Sequence, residues 1–143
     1  MNKIEIKESN GEVIYTYEGE NATIKDAVED AVKKGVNLSL AVIRDADLCG
    51  ADLCGANLYR ADLEGANLED VNLEIAFIKN AVLKRANLCG ANLYNADLEE
   101  TDLSDANLTR ASLEFTHLYG TNFFNANLKD ANLKDTELEK YQN

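Results

Sequence analysis

Ala46-Asp47-Leu48-Cys49-Gly50-Ala51-Asp52-Leu53-Cys54-Gly55-Ala56-Asn57-Leu58 repeats one five-residue phrase: a small residue, Asp or Asn, leucine, then two variable positions. Outward from this stretch the phrase never slips. A large apolar residue recurs at every fifth position from Ile43 to Leu138, with Ile78 and Phe123 among the stand-ins for leucine. Two positions before each lies a small side chain, most often Ala and otherwise Val71, Thr121 or their like.

Neither regular element can use a period of five. A helix would rotate the leucine by about 140° per phrase and scatter it around the axis. A flat strand would send successive leucines to opposite faces. The chain must therefore bend inside each phrase. If one phrase makes one side of a square, four make a coil whose leucines and alanines point inward. Stacked coils then pair backbone with backbone at about 4.8 Å. Residues 36–140 would form about five such coils, an all-β solenoid with a linear core.

The corners carry their own signal. Gly50, Gly55, Gly65, Gly90 and Gly120 all fall two residues after the central apolar one, and Asn80, Asn95 and Asn125 share that slot. These residues tolerate the positive φ required at the third position of a type II turn. Proline is absent, as expected of a backbone whose N–H groups are used in ladders.

This tandem Ala-(Asp/Asn)-Leu-x-x pattern resembles the pentapeptide-repeat family and covers about three quarters of the chain. The resemblance implies a right-handed quadrilateral β-helix, the hand that general connection rules also favour. It implies little about function. Some family members that protect DNA gyrase are acidic rods thought to occupy the site of the duplex.

Residues 1–35 lie outside the repeat. Ile4 and Ile6 alternate with charges, Asn10-Gly11 predicts a two-residue type I′ turn, and Val13, Tyr15 and Tyr17 alternate on the return. That turn sets Ile6 opposite Tyr15 and Ile4 opposite Tyr17. Thr23 then reads as an N-cap with Asp26 three residues on, followed by Ile24, Ala27, Val28, Ala31 and Val32 on one helical face. Gly35 ends the element. Hairpin and short α-helix are expected to form an N-terminal cap, with the helix stripe against Val36, Leu38, Leu40 and Ile43. Without one, the first coil would present an open edge. Residues 141–143 are read as a C-terminal tail.

A net charge of −12 disfavours direct nucleic-acid binding and association with anionic membranes. No hydrophobic run suggests a signal peptide or membrane span, and three widely placed cysteines fit a reducing cytoplasm better than a disulfide framework. No catalytic, cofactor-binding or metal-ligating set is recognisable.

Residues 20 apart should stack in outward columns. Arg44, Glu64, Lys84, Ser104 and Phe124 form one, with opposite charges in register; Asn67, Asn87, Asn107 and Asn127 form another, suited to an amide ladder. Cys49 and Cys89 lie two coils apart in a third, too far for a disulfide, and Cys54 is on the adjoining face. His117, the single histidine, has no nucleophile to activate. The candidate partner patch comprises Tyr59, Ile75, Phe77, Val82, Phe115, His117 and Tyr119, where Phe77 and Val82 replace the expected Asp or Asn.

The expected function is that of a noncatalytic scaffold or protein-binding module, with an unidentified protein partner. A homodimer through the C-terminal end or the aromatic face is also compatible. The alternative implied by the family resemblance is a DNA mimic binding a topoisomerase such as gyrase. Against it, the acidity is spread over all four faces and interrupted by Arg60, Lys79, Lys84, Arg85 and Arg110.

Overall fold

The computed structural model describes residues 1–141; of the expected tail, residues 142 and 143 lie outside the described residues. Parallel bridges join residue i to residue i+20 in an unbroken series, from Val42↔Asp62 through Phe77↔Asp97 to Ser112↔Asn132. Four phrases therefore close one coil. Every central apolar residue from Leu38 to Leu113 is buried, and from Ile43 onward so is the small residue two positions before it. Where that small residue is Thr, its hydroxyl is satisfied internally: Thr101 and Thr116 donate to the carbonyls of Ile78 and Leu93 in the preceding coil, at 2.9 and 3.0 Å. Among the described residues, no buried side-chain nitrogen or oxygen lacks a partner.

The corners follow one rule, broader than glycine and asparagine. All residues two positions after a central one, from Leu40 to Asp135, have φ between 52° and 71°. The turn is closed by an i+3 N–H to i carbonyl bond, for example Ala51 to Leu48 at 3.0 Å. Both features belong to type II turns. Asp, Arg and Glu occupy many of these corners, as do Leu40, Ile75 and Phe115. From Leu40 to Phe115, ladder bonds from the corner N–H to the next coil compensate the local penalty; that of Ile75 donates to the Tyr94 carbonyl at 2.9 Å.

The Asp or Asn before each leucine works for the backbone. Its Oδ1 accepts the N–H two residues on, as in Asp47 with Cys49 (3.2 Å), Asn57 with Tyr59 (3.1 Å) and Asp97 with Glu99 (3.0 Å). This bond satisfies a donor that points away from the ladders. Phe77 and Val82 bring no such acceptor.

Strands β1 (Asn2–Glu8) and β2 (Val13–Gly19) form the N-terminal hairpin, with Ile4 opposite Tyr17 and Ile6 opposite Tyr15 as expected. The turn differs from the type I′ expectation: Gly11 has φ 86°, whereas Asn10 is not among the positive-φ residues. The Gly11 N–H donates to the Glu8 carbonyl and the Glu8 N–H to the Glu12 carbonyl, making a three-residue loop. Pairing near the turn moves by one residue, and an irregularity between Ile6 and Lys7 restores the outer register.

Helix α1 (Ile24–Lys33) starts at a capping box in which Thr23 and Asp26 satisfy each other's backbone. Its buried Ala27, Val28 and Ala31 join Ile6 and the coil leucines in one continuous core. The hairpin meets the coil edge through β3 (Ala41–Val42), where β1 pairs antiparallel. The helix meets the same edge through side chains: Lys25 Nζ donates to the Cys49 carbonyl, and Glu29 accepts the Asp52 N–H, each at 2.8 Å. Contrary to expectation, Leu40 is not under the helix stripe; it is an exposed corner residue. At the other end the last phrases are less buried, and a 3-10 turn follows at Glu139–Tyr141.

Candidate functional site

The outward columns separate into polar ladders and one wall on which exposed aromatic side chains cluster. On the ladder wall, Asn67 Nδ2 donates to Asp47 Oδ1 (3.0 Å), Asn87 to Asn67 (3.2 Å) and Asn107 to Asn87 (3.1 Å). A second ladder, Asp52-Asn72-Asn92, runs on the adjoining wall. The charge column is less regular than expected. Arg44 reaches Glu64 at 3.4 Å and Asp62 at 2.6 Å, but the second cation on Glu64 is Arg85 (2.9 Å) from a corner, in place of Lys84.

The candidate patch divides into two footholds. In the first, Tyr59 stacks on Phe77 with ring centroids 5.7 Å apart, and Ile75 projects from the adjoining corner. In the second, Tyr94 meets Phe115 edge to face at 5.5 Å, beside His117 and Tyr119. Ile75, Phe77, Phe115 and Tyr119 are 53, 40, 42 and 72 % exposed. Val82 belongs to neither: it lies on the next wall, between Asp62 and Asp102 in its column, and is half-buried. Tyr94 was not in the expected set, because its position in the phrase is ordinary; only its contact with Phe115 brings it in.

Between the footholds runs one polar coil edge: Asn95, Asp97, Glu99 and Glu100, with Lys79 above it. Lys79 Nζ pairs with Glu99 at 2.6 Å and feels Asp97 and Glu100 at longer range. The bond to Lys79 holds the Glu99 carboxyl below its ordinary range and the Lys79 ammonium above its own. Beyond the second foothold, Asn95, Phe115, Thr116, His117, Asp135 and Glu137 line a shallow depression.

The chemistry available elsewhere is limited. The three cysteines are free, and Cys89 Sγ accepts from Arg110 at 3.2 Å. Burial, with Glu74 and Asp52 nearby, pushes the Cys54 thiol up and away from the reactive thiolate. Among the described residues no group of His, Cys, Asp and Glu could hold a metal ion, and no helix is long and apolar enough to cross a membrane.

Comparison with known proteins places this geometry. The pentapeptide-repeat profile matches in 8 copies, over residues 37–74, 66–105 and 106–140. No curated protein matches the sequence. Among solved structures, a pentapeptide repeat protein from the thylakoid lumen of Arabidopsis thaliana is 29% identical, with a TM-score of 0.54 over 74% of this chain and 70% of its own. One from Nostoc PCC 7120 is 27% identical, with a TM-score of 0.57 over 70% and 91%. The plasmid-mediated fluoroquinolone resistance protein QnrB1, at 21% identity and a TM-score of 0.55 over 71% and 61%, shares the fold. These relatives are right-handed quadrilateral β-helices, and such proteins are generally structural or binding scaffolds. With its unbroken 20-residue register and the profile matched over most of its length, the chain belongs to the pentapeptide-repeat family.

Proposed function

We propose that this protein is a noncatalytic scaffold: a right-handed rod of about five coils, capped by the hairpin and α1, that engages a protein partner through its aromatic wall. One observation carries the reading. Ile75 and Phe115 are exposed apolar side chains on backbone with φ of 52° and 57°, in a column whose other corners are Gly55, Asn95 and Asp135. A β-branched residue there costs about 1 to 2 kcal/mol. Neither the corner nor the core needs these side chains, and water does not favour them. Contact with another macromolecule accounts for both.

The surrounding chemistry fits binding better than catalysis. The carboxylates lie on convex walls, several of them in ion pairs, and the free thiols suit a reducing cytoplasm. A DNA mimic would need a continuous acidic stripe. Arg44, Lys79, Arg85 and Lys134 instead pair with carboxylates on the walls. A gyrase supercoiling assay tests that alternative: salt-sensitive inhibition at low micromolar protein would favour the mimic over the scaffold.

The decisive experiment is affinity capture from native cytoplasm with the wild type and Phe77→Lys. The expected result is a partner retained by the wild type and lost by the variant, at unchanged circular dichroism. Equal capture by both would remove the aromatic wall from the proposal.

A further inference from the structure

The two footholds are set apart by the coil spacing, and that distance has a natural counterpart. Phe77 and His117 share a column two coils apart, as do Ile75 and Phe115, so the footholds are about 10 Å apart along the rod. An α-helix rises about 10.5 Å over seven residues and about 5 Å over three or four. A helix lying along the rod axis would therefore set residues i and i+7 on the two footholds. Its residues i+3 and i+4 would face the intervening coil.

That intervening coil is acidic. Asp97, Glu99 and Glu100 face outward there, against the single ammonium of Lys79. Further along, Asp135 and Glu137 border the depression beside Phe115. The side chain suited to such places is Arg or Lys, whose stem packs on an aromatic face while its charged head reaches carboxylates. A second copy of this chain is disfavoured as the occupant. At −12 per chain, it would bring carboxylate against carboxylate along the same band.

We propose that the aromatic wall docks an amphipathic, basic helix of a partner protein, with apolar anchors at i and i+7 and Arg or Lys at i+3 and i+4. The inference rests on the scaffold reading and specifies the partner's chemistry. Ile75, Phe77 and Tyr59 take the first anchor, Phe115 and Tyr94 the second, and Asp97, Glu99 and Glu100 the cations between.

The test uses a labelled helical peptide of about 18 residues, built of Ala and Gln with two leucines seven apart and Arg at the third and fourth positions between them. Fluorescence anisotropy with the full chain at low salt should show saturable binding, with Kd on the order of 10 to 100 μM. Replacing both Arg by Glu should weaken it about tenfold or more, and about 0.5 M salt should do the same. Phe77→Lys and Phe115→Lys should each weaken it by a similar factor. Phe124→Lys, at an exposed aromatic on another wall, should leave it unchanged.

Equal binding of the Arg and Glu peptides, equal effects of the Phe77 and Phe124 substitutions, or no saturable binding would each overturn the proposal. So would a wild-type dimer, seen by light scattering and abolished by Phe77→Lys, because the wall would then be filled by a second copy. If native capture depends on Phe77 while the peptide is ignored, the scaffold reading stands and the basic helix falls. If neither depends on Phe77, both fall.

Discussion

The ladder wall and the aromatic wall rest on the same core but use their outer positions in opposite ways. On the ladder wall, Asn87 spends every polar group on the fold: its Oδ1 accepts from Cys89 and Asn107, and its Nδ2 donates to Asn67 and Glu69. On the aromatic wall, Phe77 fills the equivalent position, and its side chain makes no hydrogen bond to the backbone and stacks with Tyr59. The repeat thus tolerates a loss of local hydrogen bonding because leucine burial and the coil-to-coil ladder hold each phrase. Positions that give up the hydrogen bond are free to serve something outside the rod.

The largest expected effect shows what the two walls share. Leu88→Ala beneath the ladder and Leu98→Ala beneath the aromatic wall each remove a fully buried side chain at mid-stack. Both should cost about 2 to 5 kcal/mol by chemical denaturation. Tyr94→Ala, at an outward position, should cost far less. Equal losses at Leu98 and Tyr94 would contradict the division into core and skin.

A smaller effect separates the walls. Asn87→Ala breaks the amide ladder and removes the acceptor for the Cys89 N–H, and should cost about 1 to 3 kcal/mol. Ile75→Asn should act in the other direction, raising stability by about 1 kcal/mol as the β-branched side chain leaves the left-handed corner. The same substitution should weaken partner capture. A clear destabilisation by Ile75→Asn would show that this side chain serves the fold, and the contrast between the walls would disappear.

The smallest effect is electrostatic. The amides of Asn67, Asn87 and Asn107 do not titrate in the ordinary range, whereas the aromatic wall contains the Lys79–Glu99 pair. The Glu99 carboxyl is lowered from 4.5 chiefly by its bond to Lys79. A depressed folded value contributes stability above about pH 4.5, and that contribution is lost as pH falls through the lower folded value. Wild type and Glu99→Gln should therefore differ near neutrality and converge in acid. A constant difference at every pH would assign the effect to packing. The same logic applies in the hairpin, where bonds to Lys3 and Lys7 lower Glu5 to about 2; Glu5→Gln should flatten the acid limb between about pH 4.5 and 2.

Legibility in the sequence follows the range of the forces involved. The leucine period, the glycine corners, the Thr23 cap and the outer hairpin register could all be read, because each is a local pattern with one compatible geometry. Local patterns also misled. Asn10-Gly11 has the composition of a type I′ turn, yet the hairpin takes a three-residue loop whose register shift is absorbed next to the contact with β3. Leu40 has the composition of core but occupies a corner. Val82 interrupts the Asp/Asn pattern as Phe77 does, but the corner at Asn80 carries it to a different wall.

By itself, then, the amino-acid order determined the turning of the chain: five residues to a side, leucine inward, small or left-handed-tolerant residues at many of the corners. Hard-sphere limits and hydrophobic burial act within each phrase and leave no other consistent solution. Only the tertiary structure decided which outward residues meet: Tyr59 with Phe77, Tyr94 with Phe115, and Lys79 with Glu99. These pairs lie 18 to 21 residues apart, and side-chain rotamers and charge settle them only once two coils are stacked.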